Sequence, residues 1–236
     1  MRNLPVVTRY LLIANIFIFL LDDVLHLNLW QTFGLFPYGT PYFHWWQPFT
    51  YMFLHGGFGH IFFNMFAVWM FAPVIEREWG ARRFAIYYLV CGLGAALVQE
   101  LVWSATGMMS SAVGASGAVF GILFAFGWLY PNVPMFLLFI PVPIRARVFV
   151  IIYALIELFA GLGSIAGFTV DNVAHFAHLG GFIFGWLLIL YWRKRNWRQP
   201  LIFDWYERIR SRWNDHERLD STRGKDFDNY HYHKRV

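Results

Sequence analysis

Apolar residues gather in six runs, separated by short stretches that are polar or rich in proline. The runs lie near residues 7–26, 57–75, 83–103, 113–130, 147–165 and 173–192. Each approaches the ~20 residues that a helix needs to cross a bilayer's hydrocarbon core. The pattern predicts an all-α membrane protein of six transmembrane helices. Between the fourth and fifth runs, PNVPMFLLFIPVPIRAR is also apolar, but it carries Pro131, Pro134, Pro141 and Pro143. Proline removes a helical hydrogen bond and clashes with the preceding turn, so an extended interfacial loop is expected there. The first run follows Arg2 and ends at Asp22 and Asp23, not at the small residues of a signal cleavage site, and reads as a retained span.

Composition strengthens this reading. The 236 residues are 58% hydrophobic, 21% aromatic and 14% charged, where a soluble domain carries about 25% charged residues. A single cysteine, Cys91, excludes an intramolecular disulfide and any multi-cysteine metal site. Charge placement adds orientation. Outside the C-terminal tail, Lys and Arg occur only at Arg2, Arg9, Arg77, Arg82, Arg83, Arg145 and Arg147, at alternate ends of the runs. The positive-inside rule then predicts that both termini are cytoplasmic and that spans 2, 4 and 6 run from outside to inside. The first outer loop is aromatic and uncharged, as suits the membrane interface.

A core over 1–193 and a cytoplasmic tail over 194–236 are expected. The tail, counted from Arg193, holds the excess of basic over acidic residues that makes the net charge +5. Its PLIFDWYERIRSRW places Ile202, Trp205, Ile209 and Trp213 on one face, predicting a short helix on the cytoplasmic leaflet. Acids interspersed among the bases argue against a nucleic-acid partner.

The polar residues inside the runs suggest chemistry. LHGGFGHIFFNM opens the second run with His60 and Asn64 four apart, on one helix face. SAVGASG opens the fourth with Ser116 in its first turns, and DNVAHFAHLGG opens the sixth with His175 and His178. With the predicted topology His60, Asn64, Ser116 and His178 lie roughly 5 to 10 Å below the outer surface. Any one of them could be an isolated interhelical hydrogen bond. Several in one layer point to a functional site or hydrated cavity, because polar groups in lipid are costly. Gly117 and Gly121 form a small-xxx-small pair, as do Gly181 and Gly185. If those faces meet, Ser116 approaches His178, and a hydroxyl within reach of an imidazole is the requirement for an activated nucleophile.

HGGFGHIFFN, GASG and AHLGG, in that order, resemble the motifs of rhomboid intramembrane serine proteases, and the resemblance extends over about residues 5–193. Glu76 matches an acidic position after helix 2 of that family. The resemblance implies Ser116 as nucleophile, His178 as general base and then acid, and His60 and Asn64 as oxyanion-stabilising side chains. It implies that Gly114 and Gly117 give the backbone access that Ser116 needs. Phe120 stands where the family often stacks Tyr on the catalytic ring, and His55 at a position that supports the loop near the site. Trp46 is followed by Gln47, where Arg is common. The implied activity is endopeptidase cleavage of single-span membrane proteins near the outer end of their helix. The implied partners are transmembrane substrates and the lipid bilayer, with no cofactor and no metal; a bacterial plasma membrane is the expected setting.

No triad acid stands out. Asp171, seven residues before His178, is expected to cap the sixth span, leaving a Ser–His dyad. Glu157, midway along the fifth span, is expected to bond a neighbouring helix or face a hydrated gate. His175 is expected to be a packing or water-contacting residue. The alternative function is a rhomboid-like protein that binds membrane clients without cleavage, but such a protein would normally lack Ser116 or His178. Haem ligation by His55, His60, His175 and His178 would leave GASG unexplained, and no H-E-x-x-H of a metalloprotease occurs.

Overall fold

The computed structural model describes residues 4–137, 140–168 and 173–194. The expected tail helix and Asp171 lie outside the described residues. Helices α1 (Val6–Leu25), α4 (Phe58–Trp79), α5 (Ala81–Thr106), α6 (Ser116–Leu129), α7 (Ala146–Ile165) and α8 (His175–Lys194) fall over the six apolar runs. Two single-turn helices, α2 (Trp30–Phe33) and α3 (Gln47–Thr50), lie in the first loop. The chain is a mostly helical membrane protein. Helices α4, α5, α7 and α8 are each long and apolar enough to cross a membrane. The other two differ for physical reasons. Helix α1 carries Arg9, Asp22 and Asp23, and α6 has only 14 residues, roughly 21 Å at 1.5 Å per residue.

Helix α6 begins at Ser116, not at 113 as the apolar run suggested. Gly114 has φ +129°, a left-handed conformation open to glycine, and its N–H donates to the Tyr51 carbonyl (2.9 Å), which holds the chain off the helical path. Ser116 is therefore the first residue of its helix. The proline-rich segment is extended as expected, and it also pairs: β1 (Pro134–Leu137) and β2 (Ile140–Arg145) form an antiparallel ribbon with Pro134 opposite Arg145.

Helices α5, α6 and α8 all pack on one another, and α5 is buried along Phe84, Tyr87, Tyr88, Cys91, Ala95 and Gln99. Glycines set the spacing. Phe184 fills the space over Gly94, Gly180 rests on Ala95 and Val98, and Gly181 of α8 meets the Gly117 backbone of α6. Two buried hydroxyls find backbone acceptors across these contacts: Tyr87 donates to the Gly121 carbonyl and Tyr51 to that of Gly92, both at 2.8 Å. Helix α7 is attached more lightly. Its buried residues, Ala146, Val150, Glu157 and Gly161, make one narrow stripe.

Gln47 anchors the first loop. It is fully buried; its Nε2 donates to the carbonyls of Tyr42 (2.8 Å) and Thr32 (3.2 Å), and its Oε1 accepts from the Phe36 N–H (3.3 Å). Leu35 and Ala112 exchange backbone hydrogen bonds at 2.9 Å, tying this loop to the segment that leads into Ser116.

Glu76 lies inside α4, whose helix runs on to Trp79. Its carboxylate accepts from the backbone N–H groups of Val7 (2.8 Å) and Thr8 (2.7 Å) and from the Thr8 hydroxyl (2.7 Å), capping the amino end of α1. Anions are favoured at that end of a helix. Glu76→Gln keeps the shape but loses the charge and an acceptor, and is expected to cost about 1 to 3 kcal/mol. Thermal unfolding in detergent measures this; an unchanged melting temperature would remove Glu76 as the anchor of α1.

Candidate active site

Ser116 opens α6 and His178 occupies the first turn of α8. The close approach of Gly117 to Gly181 brings the two helices together there, as the glycine spacing suggested. Ser116 Oγ lies 2.8 Å from His178 Nε2. Gly117 thus serves the helix contact: a side chain on it would run into Ala95 and approach Tyr51 and the Ala177 carbonyl.

Phe120, one turn below Ser116, stacks face to face on the His178 ring, with centroids 4.2 Å apart and planes inclined by 8°. Tyr153 of α7 stacks on the other side of Phe120 at 5.2 Å. The imidazole is therefore held as a plate in a layered stack.

The far nitrogen of His178 has a partner that the sequence did not indicate. Nδ1 lies 2.9 Å from Glu157 Oε2, and His175 Nδ1 lies 2.7 Å from the same oxygen. Glu157 and both histidines are buried. Of the two expectations for Glu157, bonding a neighbouring helix is what the structure shows. A signal was present: a lone acid in the middle of an apolar helix needs a partner, and two histidines three residues apart on another helix can supply it. Glu157, His175 and His178 are also the set, among the described residues, whose ligand atoms could hold a metal ion, all within 4.8 Å of one another.

His60 approaches from α4. Its Nδ1 accepts a hydrogen bond from the Gly56 N–H (3.3 Å), so in the neutral ring Nε2 carries the proton and is a donor. A Cβ on Gly114 would lie 2.7 Å from His60 Nε2 and 3.6 Å from Ser116 Oγ. The space that glycine leaves empty is bordered by a nitrogen donor on one side and the hydroxyl on the other. Asn64 is buried, and its amide donates to the His60 carbonyl (3.0 Å), which leaves one N–H of the amide. His55 lies in the loop before α4, edge-on to His60 at 5.1 Å, with neither ring nitrogen hydrogen-bonded among the described residues. Burial, with His60 beside it, pushes its imidazole down to about 3, so the ring is neutral at ordinary pH.

The backbone completes the site. The first helical bond at this end of α6 runs from Val119 N–H to the Ala115 carbonyl (3.0 Å), so the amides of Ser116, Gly117 and Ala118 precede it.

A family model described as Rhomboid domain matches residues 42–195. Over 146 residues the chain is 36% identical to RHOMBOID-like protein 4 of Arabidopsis thaliana, covering 61% of this chain and 33% of that protein. It is 34% identical over 142 residues to Rhomboid protease GluP of Bacillus subtilis (strain 168), covering 60% and 25%. It is 32% identical over 159 residues to the mitochondrial presenilin-associated rhomboid-like protein of Rattus norvegicus, covering 66% and 41%. In each case the match spans less than half of the relative's length.

Proposed function

This chain belongs to the rhomboid family, and from that premise we propose that it is an intramembrane serine endopeptidase acting on single-span membrane proteins. The observation that carries the proposal is the 2.8 Å contact between Ser116 Oγ and His178 Nε2 at the starts of two packed apolar helices.

Ser116 Oγ attacks the scissile carbonyl carbon while its proton passes to His178 Nε2. The C–N bond then breaks, and His178 returns that proton to the leaving amine. Water, deprotonated by the same nitrogen, hydrolyses the acyl-enzyme and regenerates the Ser116 hydroxyl. The oxyanion that forms at each attack is stabilised by the Ser116 amide at the start of α6, by His60 Nε2–H and by the remaining N–H of Asn64.

The placement of Lys and Arg supports cytoplasmic termini, with the site on the outer side of a membrane; a bacterial plasma membrane is the proposed setting, and a Bacillus relative lends it support. A helical substrate hides its carbonyls in its own hydrogen bonds, so it must unwind near its outer end before it can react. Residues 1–193 act as the catalytic core in this reading, and 194–236 as a membrane-surface tail.

Incubating the purified protein with fluorescent single-span substrates tests the proposal. Cleavage near the outer end of the substrate helix supports it, and intact substrate throughout overturns it.

His60→Ala and Asn64→Ala each remove a donor aimed at developing charge, and each is expected to lower kcat on the order of 10- to 1,000-fold with little change in KM. Steady-state kinetics separates the two constants; a defect confined to KM would make these side chains substrate-binding groups instead.

A further inference from the structure

We propose that Glu157 makes the site a Ser–His–Glu triad, acting as a positioning residue on His178 with His175 as its second anchor; this rests on the serine-protease reading above. Glu157 Oε2 faces two imidazole Nδ1 atoms, at 2.7 and 2.9 Å. An ionised carboxylate only accepts, and one oxygen has lone pairs for two donors. Both rings therefore carry their proton on Nδ1. In neutral His178 that leaves Nε2 as a bare lone pair, and Nε2 is the atom 2.8 Å from the Ser116 hydroxyl. The carboxylate thus selects the tautomer that can take the proton from serine. The opposite tautomer would present an N–H to Ser116 and could not act as a base.

Charge adds to orientation. When Ser116 attacks, its proton arrives on Nε2 and His178 becomes an imidazolium beside Glu157, a pair favoured in a buried setting far more than in water. The carboxylate remains ionised throughout; no second proton moves. His175 holds Oε2 from the other side, so the carboxylate is fixed by two rings from one turn of α8. Phe120 fixes the remaining freedom of the His178 plane.

The placement also couples three helices. Glu157 belongs to α7, whereas Ser116 and His178 belong to α6 and α8. The pairing therefore needs three helices in register.

Glu157→Gln preserves shape and removes the charge. It is expected to lower kcat on the order of 10²- to 10⁴-fold, with KM within about threefold of wild type and the melting temperature retained. The rate of covalent labelling of Ser116 by a fluorophosphonate should fall in parallel. Equal kcat in the two proteins, or a loss carried by KM, overturns the proposal. If Glu157→Gln melts early, Glu157→Asp is compared with it below both melting temperatures: faster labelling in the Asp variant supports the charge, and equal labelling overturns it. Wild type and Ser116→Ala run beside them. A wild type that neither cleaves nor labels would defeat the protease reading itself, whereas an active wild type matched by Glu157→Gln would defeat only the triad.

Discussion

Ser116→Ala should abolish cleavage, lowering turnover on the order of 10⁴- to 10⁶-fold, while the helical fold and melting temperature stay close to wild type. The substitution deletes one oxygen. Its hydrogen bond to His178 Nε2 contributes about 1 kcal/mol to stability, a small part of what holds α6 to α8. Glycine-spaced packing does that, and it is untouched. Because nucleophile and base act as a unit, His178→Ala should match the loss, and the double variant should lose little more. The measurement is initial-rate cleavage of a single-span substrate with circular dichroism of the same preparations. Near-wild-type turnover in Ser116→Ala would end the protease reading.

Gly181→Ala should do the converse, leaving every reactive group in place and removing the geometry. A Cβ on Gly181 would press into the Gly117 carbonyl oxygen, 2.9 Å from its carbon and 3.3 Å from the Gly121 nitrogen. All three are backbone atoms, so no side chain can turn aside. The helices must part, and overpacking of this kind costs about 1 to 3 kcal/mol. A shift of ~1 Å between reacting groups costs on the order of 10²-fold in rate. The expected outcome is a lowered melting temperature with at least a 10²-fold loss of turnover. Gly59→Ala is the control, because its added Cβ meets nothing within 4 Å. If Gly181→Ala kept both rate and melting temperature, the α6–α8 approach would not be what brings Ser116 to His178.

The sequence disclosed what depends on local pattern. Apolar runs located the six main helices, and the glycines at 117, 121 and 181 anticipated where α6 and α8 meet. Contacts between distant segments were less visible. Glu157 lies 21 residues from His178 on another helix, and only the rotation of α7 decides whether they touch. The pairing of the proline-rich segment depended on strand register, which alternation of residue types does not display. The start of α6 turned on a positive φ at Gly114, a property of the backbone that the apolar run conceals. Gln47 is a further case: it stands where the resemblance led one to expect Arg, and its three hydrogen bonds to the loop backbone became evident only in three dimensions.

The shortness of α6 bears on the electrical integrity of the membrane. The proposed hydrolysis requires water part-way into a bilayer that separates ions, and a continuous polar path would short-circuit the gradient. Below Ser116 the helix reads GAVFGILFAFGWL, without an ionisable side chain, and Val119, Phe120, Ile122, Leu123, Ala125 and Leu129 are buried. An ion carried past that plug would lose its hydration with nothing to replace it, at a cost of many kcal/mol. Under the proposed activity, reactant water would enter and leave by one face, and the apolar length of α6 would keep the membrane insulated.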